Sequence, residues 1–373
     1  MSPLHAQVIK ILFLMIFSTV LAFLWAPFLI RLLYKYKLWR KKGRIESIES
    51  NKETIELDQL PVESVGSTEI ETRLRQLTQK RQFDISVPRL GGFLIFLTTI
   101  FTAFFFAFLA KIFDNFWLNK FNFLSREQTW VPLAVLVAAS FIGLADDLVQ
   151  IFEKGRGRHK GLKFTRRLLG VFIIAIIAAS WFYFKLDAHT LYLPGIGDID
   201  IGFWYFFLFV LVVLASWSSG VVDGLDGLAG GIFSIIFTSF SIIAFSQHQY
   251  NVAALCAVIA GTTLAFLWFN IPPARFYMGE VGIMGLTCTL AVISFVTNSV
   301  LLLPIIAGIL VIESGSVILQ ILNYKIFKKR LFLCAPLHHH FELKGWSAEK
   351  ITMRFWILGL IFAILGTIIG LLR

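Results

Sequence analysis

Apolar segments long enough to cross a membrane recur from one end of the chain to the other. A helix needs roughly 20 apolar residues to cross the hydrocarbon core of a bilayer, and polar or proline-containing stretches separate segments of about that length here. The pattern predicts ten spanning helices, at residues 8–33, 91–113, 129–146, 166–185, 202–219, 229–247, 251–269, 282–299, 301–323 and 353–372. The expected fold is therefore all-α and polytopic, with residues 1–373 forming a single membrane-embedded domain.

Composition agrees with this pattern and excludes an ordinary soluble domain. Hydrophobic residues make up 57% of the chain, charged residues make up 15%, and the mean hydropathy is +0.77. Residues 41–87 form the longest polar stretch and are expected to be a cytoplasmic, partly flexible insertion between the first two spans. Inside it, Ile70–Gln79 has the spacing of a short amphipathic helix.

Charge gives the orientation of the spans. The net charge is +11, and the basic clusters follow spans one, three and nine, which puts them on the same side of the membrane. The loop at 186–201, on the other side, carries three aspartates. Positively charged loops stay in the cytoplasm, so both termini are expected outside. This arrangement favours membrane lipid and phosphorylated substrates as partners and excludes nucleic acid.

Two acidic motifs lie at the expected cytoplasmic ends of spans. Asp146 and Asp147 close the third predicted span, where Mg²⁺ bound to phosphates would relieve their mutual repulsion, whereas the alternative is a solvated pair. Asp223 and Asp226 are three residues apart and so predict neighbours on a helical turn. Gly224, like the other glycines of this motif, lets backbone amides approach a ligand, and the alternative is a simple interfacial turn.

Two further segments lie on the same side. Pro272 and Pro273 end the seventh span, after which Tyr277 is either an aromatic platform for a ring or an interfacial anchor, and Glu280 is a candidate metal ligand. His338, His339 and His340 stand in a row, which indicates a loop or helix end that contacts phosphate or metal, because successive residues turn about 100° around a helix. A merely polar loop is the alternative.

Together these segments suit one reaction. Several carboxylates around Mg²⁺, with phosphate donors nearby, are typical of sites where a phosphate oxygen attacks a pyrophosphate. A substrate embedded in lipid would explain why the motifs lie at a membrane face.

The motifs also resemble a known family. Asp146-Asp147, Asp223-Gly224-Leu225-Asp226, Asn270 and the stretch from Met278 to Gly279 are similar to the polyprenyl-phosphate N-acetylhexosamine-1-phosphate transferase superfamily. The His338–Glu342 stretch, with Arg354-Phe355-Trp356, resembles its phospho-N-acetylmuramoyl-pentapeptide transferase branch. The resemblance covers the chain from about Pro88 to the C-terminus.

The resemblance implies transfer of phospho-N-acetylmuramoyl-pentapeptide from UDP to undecaprenyl phosphate, giving lipid I and UMP at a bacterial inner membrane. The expected partners are those two substrates and membrane lipid, the expected cofactor is Mg²⁺, and a homodimer is left open. With the motifs above, it predicts catalytic roles for Asp146, Asp147, Asp223 and His338. Substrate binding is expected of Gly224, Leu225, Asp226, Asn270, Tyr277, His339 and His340, and metal binding of Asp147 and Glu280.

The chain departs from the family pattern around this pocket. Glu280 replaces an aspartate, and Ile283 replaces a serine. Gln150 stands in the place of a lysine, and Trp217 and Gly220 in the places of asparagines. Arg89, in a Pro-Arg-Leu-Gly-Gly segment, resembles the N-acetylglucosamine-1-phosphate branch and offers a cation to the phosphates.

These departures keep other functions open. One alternative is a transferase that uses UDP-N-acetylglucosamine or a related sugar. Another is a non-catalytic homologue of the cell envelope, and a weaker one is a transporter, which would carry acids at mid-membrane in broken helices.

Overall fold

The computed structural model describes residues 3–39, 87–126, 128–152 and 161–373. The predicted insertion at 41–87 and its Ile70–Gln79 helix lie outside the described residues, except for Val87. That residues 1–373 form a single domain stays a prediction.

Ten helices of the described residues are long and apolar enough to cross a membrane, which confirms the all-α fold class and the predicted number of spans. These helices are α1 (Pro3–Lys35), α2 (Gly92–Ile112), α4 (Trp130–Phe152), α5 (Phe164–Ser180), α6 (Trp204–Ser218), α7 (Leu228–Ser246), α8 (Tyr250–Asn270), α9 (Gly279–Val296), α11 (Gly308–Phe327) and α13 (Ala348–Leu371). A π-helical turn, Trp181–Lys185, extends α5, and a 3₁₀ turn, Ser219–Val222, extends α6.

Shorter elements connect the spans. They are α3 (Phe116–Phe121), a 3₁₀ turn (Val300–Leu302), α10 (Leu303–Ile306) and α12 (Leu337–Leu343). The acidic loop at 186–201, which carried no predicted element, forms an antiparallel hairpin of β1 (Thr190–Leu193) and β2 (Gly197–Asp200). Gly195 in its turn has φ +83°, a conformation that favours glycine.

Two predicted boundaries differ most from the observed helices. The third span does not end at Asp146, because α4 continues through the apolar Ile151 to Phe152 and so encloses both aspartates. The ninth span does not begin at residue 301, because the chain leaves helical geometry at Ala307 and starts a new helix at Gly308.

The centre of the bundle consists of α7, α8 and α9, which are buried over most of their length. Small residues allow close packing where helices meet in a membrane. Gly92 of α2 faces Gly282 of α9, and a Cβ at Gly92 would overlap the Gly282 amide nitrogen. Gly261 of α8 in the same way faces the Met15 carbonyl oxygen of α1.

The contact between α4 and α9 is the one that positions the acidic motifs. A Cβ at Gly143 would overlap the carbonyl oxygen of Glu280 and lie 2.7 Å from the Val281 nitrogen. Gly143 is one turn before Asp147 on α4, so the missing side chain lets the start of α9 approach the Asp147 carboxylate.

Gly143→Ala is expected to lower stability by about 1–3 kcal/mol, because overpacking must push α4 away from the backbone of α9. Thermal unfolding of the purified protein in detergent measures this change. Gly315→Ala on α11 is the matched control, since nothing lies within 4 Å of a Cβ placed there. Equal melting temperatures for the two variants would contradict the close contact.

Candidate active site

The acidic and histidine segments meet at one end of the bundle, around a cavity of about 430 Å³. Its lining residues are Val87, Arg89, Asp147, Gly220, Asp223, Gly224, Leu225, Asp226, Tyr277, Gly279, Glu280, Ile283 and His339. Eight of the residues predicted from the sequence are among them. Asp146, Asn270, His338 and His340 are not.

Asp147 lines this cavity and has one oxygen without a hydrogen-bond partner. Its side chain is 1% exposed, and its Oδ2 accepts a hydrogen bond of 3.0 Å from the Val281 amide at the start of α9. Its Oδ1 is buried and has no hydrogen-bond partner. A buried carboxylate oxygen without a donor is costly and is a natural ligand for a hard cation such as Mg²⁺.

Protein side chains by themselves do not complete a metal site in the part of the chain that is described. No group of three or more His, Cys, Asp or Glu residues there is arranged to hold a metal ion. Mg²⁺ characteristically binds through one or two carboxylates, water and substrate phosphates, so Asp147 fits such a site without further protein ligands.

Asp146 has a different environment from Asp147, although both are buried. Its Oδ1 accepts a hydrogen bond from the Leu162 amide. Its Oδ2 accepts one of 2.8 Å from Gln150 Nε2 and lies 3.4 Å from Arg167 Nη1. Both oxygens are therefore engaged, and Asp146 ties α4 to the start of α5.

Two arginines complete the charge of the site. Arg89 lines the cavity and donates to Gln150 Oε1 at 3.2 Å. Arg167 lies behind it, with Nη1 2.7 Å from Glu280 Oε1. The sequence suggested Arg89 as a cation for phosphates, but it placed Arg167 only in a basic loop. The sequence spacing of Arg167 and Asp146 could not predict their contact, because the two residues lie on separate helices.

The segment with Asp223 and Asp226 is not helical, so the prediction of neighbours on a helical turn was wrong. The 3₁₀ turn ends at Val222, and α7 begins only at Leu228. The chain turns between them because Gly227 has φ +76°, which an L side chain rarely adopts. Both aspartates still line the same cavity.

Asn270 holds this turn in place. Its Oδ1 accepts a hydrogen bond of 2.9 Å from the Gly227 amide, and its Nδ2 donates to the Phe276 carbonyl oxygen at 2.9 Å. Asp226 adds a second link, since its Oδ2 accepts from the Ala274 amide at 3.3 Å. The 223–227 turn is thus fastened to the 271–278 loop.

Burial is the main cause that raises the pKa of Asp223, to about 7. The nearby carboxylates of Glu280 and Asp226 raise it further, while the Arg89 guanidinium opposes the rise. A cation arriving in the cavity would favour the charged carboxylate.

Tyr277 lines the cavity and is held there by its backbone. Its amide donates to the Pro88 carbonyl oxygen at 2.7 Å, and its own carbonyl oxygen accepts from Gly91 at 2.7 Å. These bonds place Arg89 beside the start of α9. Gly279 makes that approach feasible, because it has φ +71° and a Cβ there would overlap the Arg89 carbonyl oxygen.

The histidine run lies in the first turn of α12, which confirms the predicted helix end. Consecutive positions on this turn point in different directions, and the three rings accordingly have different partners. His339 lines the cavity, with Nδ1 2.6 Å from Glu342 Oε2. His340 Nδ1 accepts a hydrogen bond of 3.1 Å from the Leu333 amide, and desolvation with nearby Lys344 lowers the pKa of His340.

His338 is fully buried beneath the cavity floor. Its Nδ1 lies 2.7 Å from Glu313 Oε2, and its amide donates to Glu313 Oε1 at 3.2 Å. Its Nε2 has no partner and faces Gly224, where a Cβ would overlap it. The sequence did not predict Glu313 as a site residue, because the pair forms only when α11 packs against α12.

Two of the departures from the family pattern fit each other. A Cβ on Gly220 would lie 2.5 Å from Cγ2 of Ile283, so the small residue makes room for the large one. Trp217, one turn earlier, packs its ring against Phe164 with centroids 5.5 Å apart. The cavity therefore has an apolar wall on this side.

Comparisons with known proteins indicate the family to which the chain belongs. The model of the family described as "Glycosyl transferase family 4" matches residues 129–298. The chain is 35% identical over 281 residues to a phospho-N-acetylmuramoyl-pentapeptide-transferase of Lactiplantibacillus plantarum, which covers 75% of this chain and 83% of that protein. A protein of the same name from Bacillus pumilus is 36% identical over 291 residues, covering 77% and 85%. One from Bacillus subtilis is 36% identical over 282 residues, covering 75% and 82%.

Gly220→Ala is expected to destabilise the wall by about 1–3 kcal/mol, because the added methyl group must displace Ile283. Ile283→Ala should restore much of the lost stability when the two changes are combined, since it removes the opposing methyl groups. Melting temperatures of the two single variants and the double variant measure this coupling. Strictly additive shifts would show that the two residues do not contact each other.

Proposed function

Because the chain belongs to glycosyl transferase family 4 and, within it, to the phospho-N-acetylmuramoyl-pentapeptide transferases, we propose that it makes lipid I in peptidoglycan synthesis. The donor is UDP-N-acetylmuramoyl-pentapeptide, the acceptor is undecaprenyl phosphate, and the second product is UMP. The observation that supports this best is that Asp147, Asp223, Arg89 and His339 line one common cavity at the end of an apolar bundle.

The reaction joins two phosphates. An oxygen of undecaprenyl phosphate attacks the phosphorus atom that carries the sugar, forming a new P–O bond. The bond from that phosphorus to the oxygen shared with the uridine phosphate breaks, and UMP leaves with that oxygen. No water is consumed, so the site must hold both phosphates close together and in line.

We propose Mg²⁺ as the cofactor, bound in this cavity. The unpaired Oδ1 of Asp147 is the oxygen that fits it, and substrate phosphates would supply further ligands. Mg²⁺, when bound, neutralises phosphate charge as it builds up during transfer. Glu280, the other predicted ligand, lines the same cavity with one oxygen already paired to Arg167.

The other residues of the cavity serve binding and orientation in this proposal. Arg89 offers the donors of a guanidinium to the diphosphate, and guanidinium groups match phosphate oxygens in geometry. In this proposal Asp226 and Tyr277, which line the cavity, contact the nucleotide base or a sugar ring. Asn270 and the Glu313–His338 pair hold the turn that carries Asp223 and Gly224, so they act on the substrates through that turn.

The orientation of the site is also a proposal. The described lysines and arginines after α1, before α5 and after α11 lie at the end of the bundle that holds the cavity, and Asp187, Asp198 and Asp200 lie at the other end. By the positive-inside rule the cavity faces the cytoplasm of a bacterial inner membrane, where the UDP-linked donor is soluble. Membrane lipid surrounds the exposed apolar faces. A homodimer stays a prediction of the sequence.

The test is release of UMP by the purified full chain in detergent with undecaprenyl phosphate, Mg²⁺ and one UDP-sugar at a time. We expect release with UDP-N-acetylmuramoyl-pentapeptide and a loss of at least about 100-fold in Asp147→Asn, since that variant removes the negative charge of the carboxylate. Lys350→Gln, at an exposed position on α13, is the control variant. It is prepared in the same way as Asp147→Asn and should release UMP like the wild type.

Two other outcomes would change the proposal. Release only with UDP-N-acetylglucosamine or a related sugar would move the chain to another branch of the superfamily. A well-folded sample that releases UMP from none of the donors would favour a non-catalytic protein of the cell envelope.

A further inference from the structure

The Arg354-Phe355-Trp356 motif lies on the first half of α13, the last span of the bundle. Two side chains of this helix donate hydrogen bonds to the turn at 223–227. The Thr352 hydroxyl donates to the carbonyl oxygen of Asp226 at 3.3 Å, and the indole Nε1 of Trp356 donates to the carbonyl oxygen of Gly227 at 3.2 Å. The last span therefore holds the backbone of two successive residues of this turn.

The turn depends on partners outside itself, because it belongs to neither flanking helix. The 3₁₀ turn ends at Val222 and α7 begins at Leu228, so regular helical hydrogen bonds do not fix the residues between them. The peptide group that joins Asp226 to Gly227 is held at its nitrogen by Asn270 and at its oxygen by Thr352. The next peptide group is held at its oxygen by Trp356.

A small residue on α7 makes room for the indole. A Cβ at Gly231, one turn after Gly227, would overlap Trp356 Nε1. The Gly227 carbonyl oxygen also accepts a hydrogen bond of 3.1 Å from the Gly231 amide, and a carbonyl oxygen has lone pairs for both donors. The indole N–H can therefore reach the turn without disrupting the start of α7.

The start of α13 is fastened to the segment that carries the histidine run. Ser347 caps the helix, since its Oγ accepts a hydrogen bond of 3.3 Å from the Lys350 amide. The Arg354 guanidinium lies 4.3 Å from the centre of the Trp346 ring, and this ring stacks on Phe341 of α12 with centroids 4.7 Å apart. α13 thus offers its two donors to the turn from a fixed position.

We propose that Thr352 and Trp356 are positioning residues for the UDP-linked donor, which act through the backbone of Asp226. Asp226 lines the cavity, whereas the two positioning residues hold its turn from the neighbouring helix. The part that concerns the donor rests on the proposed function, while the fastening of the turn to α13 does not. Residues that place a binding contact away from the reacting phosphates change KM with little effect on kcat.

Hydrogen–deuterium exchange of the full chain in detergent tests the fastening without substrate. Thr352→Val removes the hydroxyl and keeps the shape of the side chain, whereas Thr352→Ser keeps the hydroxyl. Trp356→Phe keeps an aromatic ring and removes the N–H group. Thr367→Val is the matched control, because the Thr367 hydroxyl donates to the Ala363 carbonyl oxygen within α13.

We expect the amides of residues 223–228 to exchange at least about threefold faster in Thr352→Val and in Trp356→Phe than in wild type. Thr352→Ser and Thr367→Val should exchange at the wild-type rate. The hairpin at 190–200, at the other end of the bundle, should be unchanged in every variant.

The rate of UMP release against donor concentration tests the positioning role. The donor KM should rise by about three- to tenfold in Thr352→Val and in Trp356→Phe, because each loses a hydrogen bond that places Asp226. The kcat and the KM for undecaprenyl phosphate should stay within about twofold of wild type. Thr352→Ser should restore most of the donor affinity, and Thr367→Val should behave as wild type.

Each outcome decides one part of the inference. Exchange at 223–228 that is as slow in Thr352→Val and Trp356→Phe as in Thr367→Val would overturn the fastening. Faster exchange with an unchanged donor KM, or with an equal loss for both substrates, would overturn the positioning role. If Trp356→Phe does not fold, the comparison of Thr352→Val with Thr352→Ser decides both parts.

Failure of the proposed function gives a different result. If wild type releases UMP from none of the donors, the proposed function and the donor role fail together. Faster exchange in Thr352→Val and Trp356→Phe would then still establish that α13 fastens the turn.

Discussion

The hydrogen bond from the Val281 amide to Asp147 is the interaction on which the site depends. It joins a buried carboxylate on α4 to the first turn of α9, where unpaired amides and the helix dipole favour negative charge. The bond can form because Gly143, one turn earlier, has no side chain to keep the two backbones apart. One oxygen of Asp147 is therefore fixed, and the other is buried without a hydrogen-bond partner.

The remaining polar contacts at this end of the bundle hold backbone segments around that oxygen. Asn270 fixes the turn of Asp223, the Pro88 and Gly91 bonds to Tyr277 fix Arg89, and Glu313 fixes His338 beneath Gly224. These groups are buried between helices, where an unpaired polar atom is costly, so each contact also restricts how the helices can move. The cavity is in this way shaped before any substrate arrives.

The departures from the family pattern become understandable as local pairs. Ile283 fits because residue 220 is a glycine, and Gln150 fits because it lies between Arg89 and Asp146. Glu280 fits because Arg167 is within reach of a longer acid. A substitution judged alone suggests a damaged pocket, whereas the same substitution with its partner gives a different but satisfied one.

The sequence by itself determined the number of spans, their apolar lengths and the end of the bundle at which the chemistry lies. The number and lengths of the spans follow from the thickness of a bilayer. The end of the bundle follows from counting the spans, because each crossing carries the chain to the other side of the membrane. The tertiary structure alone decided that α4 continues past Asp147, that the Asp223 turn is not helical, and that Arg167 meets Glu280 across 113 positions. Periodicity reports which face of a helix is apolar, but it does not report which side chains of two different helices touch. That depends on how small residues such as Gly143 and Gly220 let the helices approach.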